Sequence, residues 1–78
     1  MPVAVNVYPN PAGSKLLVSS SQLMGCELEV SDVLGRTIFV QTAQGNQTTL
    51  DVSQLTPGVY FLHIRSAGVD EVRKFVKE

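Results

Sequence analysis

The side chains that could act in catalysis or bind a metal are few, and they lie far apart along the chain. His63 and Cys26 are the single histidine and the single cysteine of the 78 residues. His63 stands inside an apolar run. This position is typical of a strand histidine that either faces the surface or has its hydrogen bonds satisfied within the fold. Cys26 begins a predicted strand, where we expect a small buried hydrophobe rather than a reactive thiol. These two side chains are too few for a zinc site unless several carboxylates join them.

The aspartates do not complete a metal site or a catalytic site. Asp32, Asp51 and Asp70 all fall at turns or strand ends, where aspartate commonly accepts hydrogen bonds from nearby backbone N–H groups. None of their spacings resembles an EF-hand loop, so a calcium site there is the weaker interpretation. No glycine-rich phosphate loop leads from a strand into a helix. The sequence therefore predicts no catalytic residues, no metal site and no cofactor, and hence a protein that is not an enzyme.

Length and charge restrict the remaining classes of function. The 78 residues suffice for one domain, residues 1–78. Six Lys+Arg against seven Asp+Glu leave no basic stripe, which argues against nucleic acid as a partner. No apolar run approaches the ~20 residues of a membrane span. The start at Met1-Pro2 lacks the features of a signal peptide, and we expect a domain excised from a larger secreted protein.

Short apolar runs separated by turn residues predict strands throughout. We place these strands at residues 3–8, 15–19, 26–31, 36–41, 48–52, 59–64 and 71–77. The run 59–64 is apolar on both faces apart from His63, which predicts a central strand covered on both sides. Seven strands with a turn signal about every ten residues predict an all-β fold, a seven-stranded Greek-key β-sandwich of immunoglobulin-like type.

Three turns carry specific predictions. Asp32-Val33-Leu34-Gly35 is typical of a tight hairpin, in which the Asp32 carboxylate caps the turn and Gly35 adopts a positive φ. Pro57-Gly58 fits the central pair of a type II turn. Residues 53–55 are expected to form one helical or 3₁₀ turn that tucks Leu55 under the sheet. The last turn is predicted at residues 66–70.

The last strand has the composition of an edge strand. Val72, Lys74 and Val76 share one face, whereas Phe75 points to the other face with Arg73 and Lys77. Charges of this kind protect an edge strand against aggregation, or leave the edge open for a chosen partner. A homodimer formed through this edge strand is one such outcome.

Four stretches, taken in order, resemble a known family. They are VYPNP at 7–11, LEVSDVLGR at 28–36, LDVSQLTPGVYFL at 50–62 and KFVK at 74–77. Each motif alone is weak, but their order and spacing over essentially the whole chain resemble the type A C-terminal sorting domain of the type IX (Por) secretion system of Bacteroidetes-type bacteria. One departure is that Glu78 follows the final lysine.

The resemblance implies a non-enzymatic signal. Cargo would cross the inner membrane on its own signal peptide, and the folded domain would then be recognised in the periplasm. The secretion translocon would carry cargo to the outer-membrane surface or the medium, where a sortase-like protease removes the domain in many members. Carried over by position, the structural signature comprises Tyr8, Pro9, Asn10, Pro11, Asp32, Gly35, Pro57, Gly58 and Tyr60. The candidates for translocon recognition are Arg36, Lys74, Phe75, Val76 and Lys77.

The competing interpretation is an extracellular adhesive or carbohydrate-binding β-sandwich module. Such modules usually present exposed aromatic rings to sugars, whereas this chain has no tryptophan. Its two tyrosines and three phenylalanines lie within predicted strands or at a strand end. We therefore favour the export signal.

Overall fold

The chain folds into two antiparallel sheets packed face to face. The computed structural model describes residues 5–66 and 68–78. The strands are β1 (Asn6–Tyr8), β2 (Lys15–Ser19), β3 (Glu27–Asp32), β4 (Thr37–Thr42), β5 (Gln47–Asp51), β6 (Gly58–Ser66) and β7 (Val69–Lys77). From β2 onwards the predicted strands agree with these bounds to within one or two residues. Residues 3 and 4 of the predicted first strand lie outside the described residues.

The connections between the sheets make this an immunoglobulin-like Greek-key sandwich, as predicted. One sheet has the order β1-β2-β5 and the other has the order β4-β3-β6-β7. β4 lies beside β3 because the tight hairpin between them leaves no length for a crossover to the other sheet. β6 is a central strand, and β7 forms an edge of the four-stranded sheet.

The core lies between the two sheets. Alternate side chains of the strands point into it. In β3, for example, Leu28 and Val30 are buried, whereas Glu27 is exposed and Glu29 is half-buried. This alternation follows from the two-residue period of a strand. The buried apolar residues are Ala12, Leu16, Val18, Leu23, Cys26, Leu28, Val30, Ala43, Leu50, Val52, Leu55, Tyr60, Leu62, Ile64 and Phe75. Cys26 is thus the buried small residue that the sequence predicted.

Two local predictions about the segment before β6 need correction or refinement. Gly58 does not occupy the second central position of a type II turn, which requires φ near +80°. Its φ is 155°, and it already pairs with Lys77 as the first residue of β6. Upstream, the Leu55 N–H donates to the Val52 carbonyl at 3.1 Å, so this segment is a single turn with Leu55 buried beneath it.

The outer face of β6 is not covered by another layer, contrary to the sequence prediction. Tyr60, Leu62 and Ile64 face the core and are buried. On the opposite face Val59 is exposed and His63 is only half-buried. No second layer lies over this side of the sandwich among the described residues. In the last turn, Gly68 has φ 82° and β7 begins directly after it, while Ala67 lies outside the described residues.

Candidate functional site

The β3–β4 hairpin is held by one carboxylate. Oδ1 of Asp32 accepts hydrogen bonds from the backbone N–H groups of Leu34 at 2.9 Å and of Arg36 at 3.0 Å. Oδ2 accepts a third bond from the Arg36 guanidinium at 2.8 Å. The Gly35 N–H donates to the Asp32 carbonyl at 3.0 Å, and Gly35 has φ 84°. The predicted hairpin is therefore confirmed, including the cap by Asp32 and the positive φ of Gly35.

These bonds also decide the ionisation of Asp32. Partial burial raises the pKa of this carboxyl, but hydrogen bonds from Arg36 and Leu34 and the nearby guanidinium charge outweigh that effect. The net result is a pKa below the usual range for aspartate. Asp32 is thus ionised at neutral pH, and its role is to shape the hairpin and orient Arg36.

A shallow groove separates the hairpin from the segment that leads into β6. Its walls are Asp32, Val33, Leu34 and Arg36 on one side and Thr56, Pro57, Gly58, Val59 and Tyr60 on the other. We call this the hairpin groove. Val33 and Leu34 at its rim are 64% and 75% exposed, although both are large apolar residues. Folding therefore leaves two apolar side chains and one cation, Arg36, projecting at the same tip.

Tyr60 anchors the wall of the groove. Its hydroxyl donates to the Thr56 carbonyl at 2.7 Å, four residues upstream. Its ring stacks on Phe75 with centroids 5.7 Å apart and 24° between the planes. A tyrosine at the start of this strand that bonds back to the preceding segment is the tyrosine corner of immunoglobulin-like sandwiches. Tyr60 therefore ties the segment before β6 to the core of the sandwich.

The first and last motifs of the chain also meet. The Ala12 N–H donates to the Val76 carbonyl at 2.7 Å, and the Glu78 N–H donates to the Ala12 carbonyl at 3.0 Å. Oδ1 of Asn10 accepts from the Val76 N–H at 3.0 Å. We call this arrangement of Asn10, Ala12, Val76 and Glu78 the terminal clasp. It covers the last residues of the β7 edge with another part of the same chain.

Residues from all four motifs meet at one end of the sandwich. Across the four-stranded sheet, Asp32 pairs with Tyr60 and Tyr60 pairs with Phe75. Gly58 pairs with Lys77 two residues further along, and Lys77 forms a bridge with Ala12. We call this region, which comprises the hairpin groove and the terminal clasp, the motif end. Residues scattered over the whole sequence thus form one continuous surface.

The recognition candidates differ in accessibility. The Arg36 side chain is 74% exposed, and Lys74 is exposed on the outer face. Val76 and Lys77 are half-buried. Phe75 is 0% exposed, although its backbone belongs to the edge strand β7. The alternation of β7 turns Phe75 into the core, where it packs against Tyr60.

Sequence reasoning missed part of this end of the molecule. Val33, Leu34 and Val59 were not singled out, although two large apolar residues inside a hairpin turn are an available signal, because turns are usually polar. The pairing of Asn10 with Val76 had no such signal, since the two residues are 66 positions apart.

Within the described residues, the chemistry of an enzyme site does not assemble. No group of three or more His, Cys, Asp or Glu is placed to hold a metal ion there. His63 faces outward from β6, and the Cys26 thiol is buried and donates to the Gln22 carbonyl at 3.2 Å. The same residues include no helix of the length and apolarity needed to cross a bilayer.

A small immunoglobulin-like sandwich with its motifs gathered at one end defines a recognition module. The family model described as "Secretion system C-terminal sorting domain" (Por secretion tail) matches residues 6–78. The chain therefore belongs to the family of C-terminal sorting domains of the type IX (Por) secretion system, and it is a sorting signal that this machinery recognises. The function of this family is sorting, not catalysis, and it implies export to the cell surface or the extracellular space.

The fold also has a solved relative. The structure is similar to a chain in the solved structure of PorZ, described as an essential bacterial surface component of the type-IX secretion system of human oral-microbiomic Porphyromonas gingivalis. The TM-score is 0.82 at 19% sequence identity, and the match covers 96% of this chain but 11% of the PorZ chain. At this identity the likeness establishes the fold. No match was found among curated proteins.

Proposed function

We propose that the motif end is the surface through which the type IX translocon recognises this domain. The convergence of four separated motifs on that end carries the proposal. Residues that only stabilise a sandwich have no reason to gather at one end, because the core extends along the whole length of the sheets. A surface that another protein must contact does require its residues to be contiguous.

The hairpin groove supplies the chemistry for such a contact. Val33 and Leu34 offer apolar area that is exposed in the free domain, and Arg36 beside them offers a charged donor. A central apolar patch with an arginine nearby is the usual composition of an interface hot spot. The hydrogen bond that the Arg36 guanidinium donates to the Asp32 carboxylate holds this guanidinium in one orientation, which reduces the entropy lost when a partner binds.

The terminal residues take different parts in this proposal. Lys74 and Lys77 are the members of the segment whose charged ends can reach a partner. Phe75 and Val76 act indirectly, because Phe75 fills the core and the backbone of Val76 is occupied by the terminal clasp. Their role is to hold β7 in place so that the lysines and the hairpin groove keep their relative positions.

The remaining steps follow the pattern of the family. We propose that the domain is the C-terminal signal of a larger secreted protein and that it folds in the periplasm before recognition. The attached cargo then crosses the outer membrane to the cell surface or the medium, where a sortase-like protease removes the domain. An adhesive or sugar-binding role is less well supported, since Tyr8, at 42%, is the single exposed aromatic residue in the part of the chain that the structure describes.

The test is a secretion assay with matched arginine variants. Residues 1–78 are fused to the C-terminus of a periplasmic reporter in a bacterium that has the type IX machinery, and reporter is measured at the surface and in the medium. We expect the wild-type fusion to be exported and Arg36→Gln to reduce export severalfold. Arg65→Gln is the control, because Arg65 also forms ion pairs with carboxylates but lies at the opposite end of β6.

Two outcomes contradict the proposal. Reporter retained in the periplasm by the wild-type fusion would refute an export role, and equal export by the two arginine variants would refute recognition at the motif end. Deleting residues 74–78 is a poor substitute for these variants, because it also removes the buried ring of Phe75 and the terminal clasp, and we expect it to destabilise the fold. Lys74→Gln and Lys77→Gln test the terminal segment without that defect.

A further inference from the structure

Beyond the terminal clasp, the outer edge of β7 pairs with no other strand among the described residues. Both backbone groups of Val76 point away from β6, since they bond to Asn10 and Ala12. In an antiparallel ladder the outward-pointing residues alternate, so the N–H and C=O groups of Lys74, Val72 and Asp70 point the same way. The Val72 carbonyl confirms this direction, because it accepts a hydrogen bond from the Arg73 guanidinium at 3.0 Å and not from β6.

Along this open edge, acidic side chains precede Val72 and basic side chains follow it at matching distances. Residues 70–74 read Asp, Glu, Val, Arg, Lys. When a second copy is laid antiparallel with Val72 opposite Val72, each Asp70 lies opposite a Lys74 and each Glu71 lies opposite an Arg73. Directly opposed unlike charges stabilise an antiparallel pair, and two-fold symmetry repeats both contacts.

We propose that two copies of this domain associate through the open edges of their β7 strands, antiparallel and in the register that places Val72 opposite itself. The two four-stranded sheets then form one continuous eight-stranded sheet. The inference goes beyond recognition by the translocon, and it rests on the β7 edge alone.

The charges select this register against its neighbours. Sliding the second copy by two residues in one direction places Glu71 opposite Glu71. Sliding it the other way places Arg73 opposite Arg73. A slide of four residues opposes two Asp70 side chains or two Lys74 side chains. Each alternative therefore sets like charges directly against each other, which destabilises the pair.

The chain also limits how far the pairing can extend. In the proposed register the residue opposite Val76 is Gly68, which lies in the turn before β7 with φ 82°. The terminal clasp already occupies Val76. Pairing is thus restricted to Asp70, Val72 and Lys74, and the Arg73 guanidinium must release the Val72 carbonyl for that carbonyl to pair with the second copy. An interface this short lies well below the size of stable complexes, so we expect a weak dimer that forms at high local concentration.

The dimer would affect one part of the proposed recognition surface. It covers Lys74 on each copy but leaves Arg36 and the hairpin groove free at the motif end. Association of domains would therefore compete with contacts at Lys74 and not with contacts at Arg36.

Charge-swapped variants test the register. Asp70→Lys and Lys74→Asp each put like charges in opposition, whereas the double variant restores both pairs with the original net charge. Amide chemical shifts recorded as the wild-type domain is concentrated to the millimolar range should move at residues 70–74, and sedimentation should show a dimer. Each single variant should remain monomeric at the same concentration, and the double variant should dimerise again.

An equimolar mixture of the two single variants is the decisive measurement, because each Lys of one variant then faces an Asp of the other. The mixture should dimerise although neither component does. Asp70→Lys also lies beside Arg65 within the same sheet, so the melting temperature of each variant is measured as a fold control. A wild-type domain that stays monomeric at millimolar concentration, or a single variant that dimerises as strongly as wild type, overturns the proposal.

Discussion

The side chain of Asn10 accepts a hydrogen bond from the backbone N–H of Val76 at 3.0 Å, across 66 residues of sequence. This contact joins the first motif of the chain to the last. Together with the two backbone bonds of Ala12 it fixes the end of β7. The terminal residues of the signal are therefore held by a segment from the opposite end of the chain, and the motif end exists only in the folded domain.

Replacing Asn10 by alanine should loosen the end of β7. The change removes the acceptor for the Val76 N–H, and an ordinary hydrogen bond contributes about 0.5–1.5 kcal/mol to stability. We expect a loss of about 1 kcal/mol in urea unfolding and faster hydrogen exchange at the Val76 amide. Asn46→Ala is the control, because Asn46 accepts a comparable bond from the Met24 N–H at 3.1 Å. Unchanged exchange at Val76 in the Asn10 variant would contradict the clasp.

Gly35→Val should destabilise the hairpin. Gly35 has φ 84°, and a β-branched residue is strained at positive φ. The expected cost is at least about 1 kcal/mol, measured as a lower free energy of unfolding. Gly45→Val provides the comparison, since Gly45 has no positive φ and open space around the position of a Cβ. Equal melting temperatures for the two variants would show that the hairpin conformation is not what requires glycine.

Tyr60→Phe should isolate the hydrogen bond of the tyrosine corner. The ring and its stacking on Phe75 remain, but the bond to the Thr56 carbonyl at 2.7 Å is lost. We expect a destabilisation of about 1 kcal/mol. Tyr8→Phe should have almost no effect, because the Tyr8 hydroxyl accepts only an exposed bond from Gln47. A Tyr60 variant as stable as wild type would refute a role for the corner in holding the wall of the hairpin groove.

Stability should fall at acid pH in part because of the carboxyls of Glu29 and Asp32. A hydrogen bond from the Thr37 hydroxyl and then one from Arg65 hold the pKa of Glu29 below its usual 4.5. The pKa of Asp32 lies below its usual 3.8, because the hydrogen bonds described above outweigh partial burial. A lowered folded-state pKa stabilises the native state above the pKa of the unfolded chain, and this stabilisation is lost as pH falls through the folded-state value.

The measurement is the melting temperature as a function of pH. We expect a plateau above about pH 5 and a steady decrease below about pH 4.5, where unfolded carboxyls begin to bind protons. Asp32→Asn should have a lower plateau and a shallower decrease, since it removes one titrating group from the comparison. A slope in the acid range identical to that of wild type would contradict the role assigned to Asp32.

Much of the fold followed from local sequence. Alternation of buried and exposed residues located the strands of both sheets from β2 onwards, because each strand must present one face to the core. The hairpin from Asp32 to Gly35 was also predictable in detail, because its contacts are local in sequence. The carboxylate and the backbone groups it binds are within four residues of each other, so their spacing alone determines the geometry.

The arrangement of the site followed from tertiary structure instead. Sequence order indicated that four motifs matter, but only the pairing of β3, β6 and β7, together with the terminal clasp, brings residues of all four to one end of the sandwich. The burial of Phe75 and the bond between Asn10 and Val76 likewise depend on contacts between distant parts of the chain. Hydrogen bonds and packing across long loops impose no fixed spacing on the residues that form them. Local patterns could therefore predict strands and turns, whereas the packed sheets alone decided which motif residues face a partner and which support the surface from within.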